Sequence, residues 1–187
     1  MQGTVFIHRG SYESITENAS PGLRFLNRFL PAVESVNPTQ DPIGSFFKSN
    51  AFIIIGSNPS RPAQPATHYE SQSRYLSYFH HYLHVAWDMD LTLNSFNLNT
   101  ESHDPHNSHM KRTVMFEATS ETIFKDDPDQ FSIKTCEFNI LDLEGTAENL
   151  QIVEMRMFLD AKPIQARAAS LTRASAFGES QREADAE

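Results

Sequence analysis

The chain has 187 residues, enough for one domain with a sizeable core, and its formal net charge is -9. This acidic balance and the absence of a Lys/Arg cluster argue against nucleic acid, acidic polysaccharides and anionic membranes as partners, because each of them needs a basic surface. The single cysteine excludes an internal disulfide and fits a reducing compartment. No signal-like or bilayer-length apolar stretch occurs, so we expect a cytoplasmic protein.

The first half of the chain predicts mainly helices. Residues 11–36 contain "SPGLRFLNRFLPAVESV", which opens on a Ser-Pro start signal and repeats apolar residues at helical spacing; Pro31 is expected to kink or divide this helix. A short helical turn, a strand centred on 52–55 and a proline-rich loop follow. Residues 66–86, "ATHYESQSRYLSYFHHYLHVA", predict a further helix because Tyr75, Phe79 and Leu83 recur every four residues.

The second half predicts strands. Four stretches alternate in hydropathy and are separated by polar turns: residues 86–98, 110–124, 131–143 and 150–162. Such alternation and such turns suit an antiparallel meander. Helices followed by strands predict an α+β domain, with the helices packed on one face of a curved, mostly antiparallel sheet. We assign residues 1–167 to this single domain and 168–187 to a loose or docking tail, since apolar periodicity is lost there.

Two segments carry a family resemblance. The helix-and-turn region "FLNRFLPAVESVNPTQDPIGSFFKSNAFI" and the closing "MRMFLDA" resemble the NTF2-like superfamily and, within it, the SnoaL-like polyketide cyclase and isomerase group of fungal natural-product biosynthesis. The resemblance spans roughly residues 20–165. It implies a cone-shaped pocket between sheet and helices, acid/base chemistry without a cofactor, and frequent homodimers.

The last predicted strand aligns charged residues on one face. Alternation groups Glu154, Arg156, Phe158 and Asp160 together, opposite an apolar face. A solvated outer face would explain this pattern. The resemblance instead favours a pocket wall, in which Arg156 would hold an enolate or carboxylate and Asp160 would move protons. We therefore predict that this face looks inward and that Arg156 and Asp160 contribute to turnover.

Two further residues are candidates for catalysis. Glu137 lies within an apolar run, on the same strand face as Asn139, and needs either a cationic partner or a raised pKa; a structural ion pair is an equally good explanation. His84, expected at a helix end near the sheet, is a candidate proton carrier, and a satisfied core histidine is the alternative. Asp88 and Asp90 share a face, and exposure is the simpler explanation for that pair.

The histidines also raise the question of a metal. "HHYLH" and "HDPHNSH" place histidines at spacings that zinc sites use, but neither carries an accompanying acidic motif. We expect no metal and no cofactor. The sequence thus predicts a cofactor-free cyclase or isomerase that acts on a polyketide or terpenoid-like intermediate, as a homodimer. The alternative is a non-catalytic NTF2-like module that dimerises or binds a ligand.

Overall fold

A computed structural model describes residues 4–35, 43–65, 72, 74–91 and 109–184. Seven strands form one sheet in the order β1-β4-β5-β6-β7-β2-β3. All neighbours are antiparallel except β2 and β7, which run parallel. The strands are β1 Val5–Arg9, β2 Phe47–Ile55, β3 Arg61–Pro62, β4 Leu76–Asp90, β5 Met110–Phe124, β6 Ile133–Thr146 and β7 Asn149–Leu159. The predicted α+β class, with a mostly antiparallel sheet, is confirmed.

The first helix, α1, spans Pro21–Glu34 and packs on one face of the sheet. It begins at the Ser-Pro signal, because proline at the first helical position has no N–H to leave unpaired. Pro31 does not divide the helix, which continues to Glu34. Its apolar stripe meets the sheet in a core of fully buried side chains, including Phe25, Leu26, Leu30, Val114, Phe116, Leu141 and Ile152.

The predicted helix over residues 66–86 is wrong from Leu76 onward, whereas Gln72, Arg74 and Tyr75 are helical. Leu76–Asp90 is a 15-residue strand, β4. Aromatic and β-branched side chains favour a strand, and here β5 pairs with β4 along its length. The predicted strand at 86–98 is the end of β4, and residues 92–98 lie outside the described part of the chain. The strand β1 was not predicted.

A second helix, α2, spans Lys162–Ala184 directly after β7. It docks through Arg167, whose guanidinium contacts the Asp127 carboxylate and lies 2.9 Å from Asp129 Oδ2. The helix continues past residue 168, the predicted start of the tail. The division into a domain of 1–167 and a docking tail of 168–187 stays a prediction.

Candidate active site

The inward face of β6 carries polar side chains where a core would be apolar. Thr135, Glu137 and Asn139 occupy successive inward positions, and each is less than 10% exposed (4%, 7% and 1%). On the neighbouring strand, Ser120 lies opposite Thr135 and is also buried. The shared face of Glu137 and Asn139 was predicted from the alternation and is confirmed.

His81 of β4 completes this polar row. The strand alternation turns its ring inward between Phe79 and Leu83, where it is 5% exposed. Its Nε2 lies 3.2 Å from Glu137 Oε1, and its Nδ1 lies 3.2 Å from Glu34 Oε1. Both ring nitrogens therefore face a carboxylate, an arrangement that only the imidazolium form, with two N–H donors, can satisfy.

Glu34 is the last residue of α1 and faces the sheet, because Leu26, Leu30 and Glu34 are spaced by four. Strand β1 covers β4 only as far as Val85, so the backbone N–H of His81 lies at an open sheet edge and donates to Glu34 Oε1 at 2.7 Å. The Tyr12 hydroxyl donates to Glu34 Oε2 at 2.7 Å, and His80 Nδ1 lies 2.9 Å from the same oxygen.

These contacts determine the charges of the cluster. Burial lowers the pKa of His81, but Glu137 and Glu34 outweigh it and raise that pKa to about 9. Burial raises the pKa of Glu34, but the hydrogen bonds from His81 and Tyr12 leave it below the ordinary value. Burial and the neighbouring Glu34 carboxylate raise the pKa of the Tyr12 phenol. At neutral pH we thus expect an imidazolium held by carboxylates.

Several buried polar atoms of the row have no hydrogen-bond partner among the described residues. They include Thr135 Oγ1 and Asn139 Oδ1, and Glu137 Oε1 faces only the His81 ring. Most buried polar groups in proteins are satisfied. Polar atoms left open on adjacent inward positions are therefore available to a bound molecule or to water.

An apolar cavity lies against β7, the strand next to β6, and its wall includes no residue of the polar row. Its volume is about 410 Å³, and its walls come from α1, β2 and β7 through Phe29, Phe47, Ile53, Ile55, Met155 and Met157. Met157 is the cross-strand partner of Asn139, and Val33, another wall residue, directly precedes Glu34. A cavity of this size, mostly apolar with polar groups at one side, has the usual features of a small-molecule site.

Arg156 and Asp160 lie outside this site, and the prediction that their face looks inward is wrong. The Arg156 side chain is 48% exposed and its Nε donates to Glu154 Oε1 at 2.5 Å. Asp160 is exposed and accepts the Lys162 backbone N–H at 3.1 Å, at the start of α2. The inward residues of this part of β7 are instead Met155 and Met157.

The resemblance had placed this face inward, whereas a β-bulge just before Glu154 turns it outward. The pairing of β6 with β7 shifts between Asp142 and Leu143, so that Val153 is an extra residue in β7. Ile152 is fully buried, while Glu154, on the same side by simple alternation, is not. An extra residue exchanges the two faces of a strand.

The structure places the other candidate residues in different environments. Glu137 lies in the interior beside His81, as described above. His84 lies in β4 and not at a helix end; it is exposed, with Nε2 2.8 Å from Thr119 Oγ1 on the outer face. The exposure expected for Asp88 is wrong, because this residue is fully buried and accepts from Arg112 Nε at 2.8 Å.

Among the described residues, no three His, Cys, Asp or Glu side chains converge as a metal site. His103 and His106 of the second histidine motif lie outside the described residues. The expectation of no metal stays a prediction. In the described part of the chain, no helix is long and apolar enough to cross a membrane.

Glu34 and His81 were missed by sequence reasoning, although a signal exists for each. In "YFHHYLHV", alternation places His81 with Phe79 and Leu83 once the segment is taken as a strand. An acid in the last helical turn opposes the helix dipole, so Glu34 requires dedicated donors.

Comparison with known structures identifies the fold. PrhC from Penicillium brasilianum is similar at a TM-score of 0.50 and 10% identity, over 85% of this chain and 90% of that one. BvnE pinacolase from Penicillium brevicompactum matches at 0.50 and 11%, over 82% and 94%. A SnoaL-like polyketide cyclase from Jannaschia matches at 0.45 and 10%, over 81% and 94%. No family model matches the sequence, and neither does a curated protein. The chain shares its fold with PrhC and BvnE, and the NTF2-like fold that the resemblance predicted is confirmed.

Proposed function

We propose that this chain is a cofactor-free acid/base enzyme, a cyclase or isomerase of secondary metabolism that acts on a polyketide or meroterpenoid intermediate. The observation that carries the proposal is the buried His81 ring held between Glu34 and Glu137, with an apolar cavity of about 410 Å³ against the neighbouring strand β7. The fungal neighbours share the fold at 10–11% identity, so the proposed activity depends on these side chains and not on the likeness.

The three residues take different roles. Glu137 is the proposed base: its carboxylate accepts a proton as a substrate C–H bond breaks. His81, protonated at neutral pH, is the proposed acid: Nε2 donates its proton to the substrate oxygen or carbon that gains electron density. Glu34 is a positioning residue, which holds the ring through Nδ1 and stabilises its positive charge. The open polar atoms of Thr135 and Asn139 would orient an oxygenated substrate.

The test measures proton abstraction directly, so it does not require the natural substrate. Wild-type protein should accelerate exchange of α-protons for deuterium in enolisable aryl ketones or β-diketones, followed by NMR in D₂O. Glu137→Gln and His81→Gln should each lower this rate by about a hundredfold or more, because each removes a proton-transfer group. Glu154→Gln, a change to a carboxylate on the outer face, is the matched control and should leave the rate unchanged.

The alternative, a non-catalytic ligand-binding module, is favoured by the largely apolar wall of the cavity. Such a module would bind the same ketones without promoting exchange. If Glu137→Gln and wild type exchange at the same rate, the enzyme proposal is wrong and the module is the better description.

We also propose that the protein is a homodimer through the outer face of the sheet. Phe158 is 44% exposed there, and its ring lies 6.3 Å from that of Phe138 on the adjacent strand. An apolar patch of this kind is typical of a protein interface. Light scattering at micromolar concentration should give twice the monomer mass; a monomeric mass would contradict this proposal.

A further inference from the structure

One cation lines the otherwise apolar cavity. Arg61 of β3 and the nearby Gln64 are the polar residues of its wall. Arg61 is exposed, and no carboxylate among the described residues lies within ion-pair distance of it, whereas Arg24, Arg112, Arg156 and Arg167 each pair with carboxylates. The exposed Arg9 on β1 is likewise without a carboxylate partner among these residues, but it lies away from the cavity. A guanidinium placed against an apolar cavity without an acidic partner is suited to bind an anionic group of a ligand.

The sheet order fixes where that group would lie relative to the polar row. Arg61 pairs with Ile53, Ile53 pairs with Met155, and the neighbouring Met157 pairs with Asn139. Three strand spacings, roughly 14 Å, therefore separate Arg61 from the strand that carries Asn139 and Glu137. Apolar side chains of β2 and β7 line the space between them.

We propose that the ligand of this cavity is an amphipathic carboxylic acid, with its carboxylate on Arg61, its apolar body along β2 and β7, and its reacting end at the polar row. This inference rests on the proposed function in taking the cavity as the substrate's. The shape follows from the cavity wall, which has a cationic end and an apolar middle, and from the polar row on the strand next to β7. Arg61 determines specificity and takes no part in proton transfer.

The test uses two probes of equal length and different charge, decanoate and its neutral analogue decanamide. Isothermal titration should show that wild type binds decanoate more tightly. Arg61→Gln should weaken decanoate about tenfold, the usual order for a lost charge-assisted contact at a partly solvated site, and should leave decanamide unchanged. Arg9→Gln is the matched control: Arg9 is an exposed arginine on β1, which is not adjacent to the cavity strands β2 and β7.

A second readout locates the probe. In methyl-labelled protein, the Met155 and Met157 signals should shift on addition of decanoate, because both side chains line the cavity. Equal affinity for the two probes in wild type, an equal loss of both in Arg61→Gln, or binding that leaves these methionines unshifted would each overturn the proposal. These binding measurements do not depend on catalytic turnover, so they test the ligand proposal separately from the enzyme proposal. If Glu137→Gln has no effect on deuterium exchange while charge-selective binding persists, the enzyme proposal alone fails.

Discussion

The two ends of α1 meet two buried ionic clusters of different kinds. At its start, the Gly22 N–H donates to Asp88 Oδ2 at 3.0 Å, and Asp88 is paired with Arg112. At its end, the Glu34 carboxylate meets His81. A carboxylate stabilises the positive end of a helix dipole and destabilises the negative end. The Asp88 carboxylate is therefore favourable at its end of the helix dipole. The Glu34 carboxylate is unfavourable at the other end and depends on additional hydrogen-bond donors.

The two clusters also differ in their cation, which is an arginine in the first and a histidine in the second. A guanidinium is not a proton-transfer group in proteins, so the cluster that Arg112 forms is a fixed structural contact. His81 can gain and lose a proton, and its neighbours on β6 leave polar atoms open. An arrangement that opposes a helix dipole and can exchange a proton is typical of a functional site. Two buried pairs of similar geometry can therefore have different roles. Whether the carboxylate lies at the start or the end of a helix helps to distinguish a structural pair from a functional one.

The largest expected effect comes from breaking the structural cluster. Arg112→Met removes the cation and leaves the fully buried Asp88 carboxyl group without its partner. Removing one partner of a buried pair typically costs about 3–5 kcal/mol. Urea unfolding should show this loss, and the variant should still carry an intact His81 cluster. A loss below about 1 kcal/mol would mean that the cluster does not fix the helix start.

A smaller effect should come from titrating the other cluster. The pKa of His81 is about 9 in the folded chain, whereas an unfolded histidine titrates near about 6.5. The protonated form therefore stabilises the fold fully below about pH 6.5, and this contribution is lost as the pH rises through about 9. The slope is at most about 1.4 kcal/mol per pH unit.

The measurement is the free energy of unfolding of wild type and His81→Gln between pH 6 and pH 9.5, values that bracket the two pKa values. The difference between the two proteins should shrink as the pH rises. Parallel curves would show that His81 is not the group that titrates, and the comparison of a fixed cluster with a titratable one would fail.

Local patterns predicted the strands β5, β6 and β7 and which residues of β6 share a face, because a period of two is visible within a few residues. They failed for β4 for an identifiable reason. Tyr75, Phe79 and Leu83 are four residues apart, a spacing that keeps side chains on one face of a strand as well as of a helix. Only the pairing with β5 decides between the two.

The site was harder to predict because it is assembled from distant parts of the chain. His81 and Glu34 are 47 residues apart, and nothing local indicates that the end of α1 reaches the open edge of β4. The bulge at Val153 is equally invisible in the hydropathy pattern, yet it exchanges the faces of β7. Glu137 could be chosen because an acid in an apolar run is unusual on its own.

The smallest expected effect comes from the arginine that the sequence pattern favoured. Arg156→Met makes the same substitution as Arg112→Met, and Arg156 also pairs with a carboxylate, Glu154. The difference is exposure: the Arg156 side chain is 48% exposed and that of Arg112 is 2% exposed. Water solvates both partners of a surface pair, so their attraction adds little to stability. We expect no measurable shift in the urea midpoint and no change in the rate of deuterium exchange. A loss of exchange in Arg156→Met would instead place the chemistry on the outer face of the sheet, and the His81 cluster would then be a second structural pair.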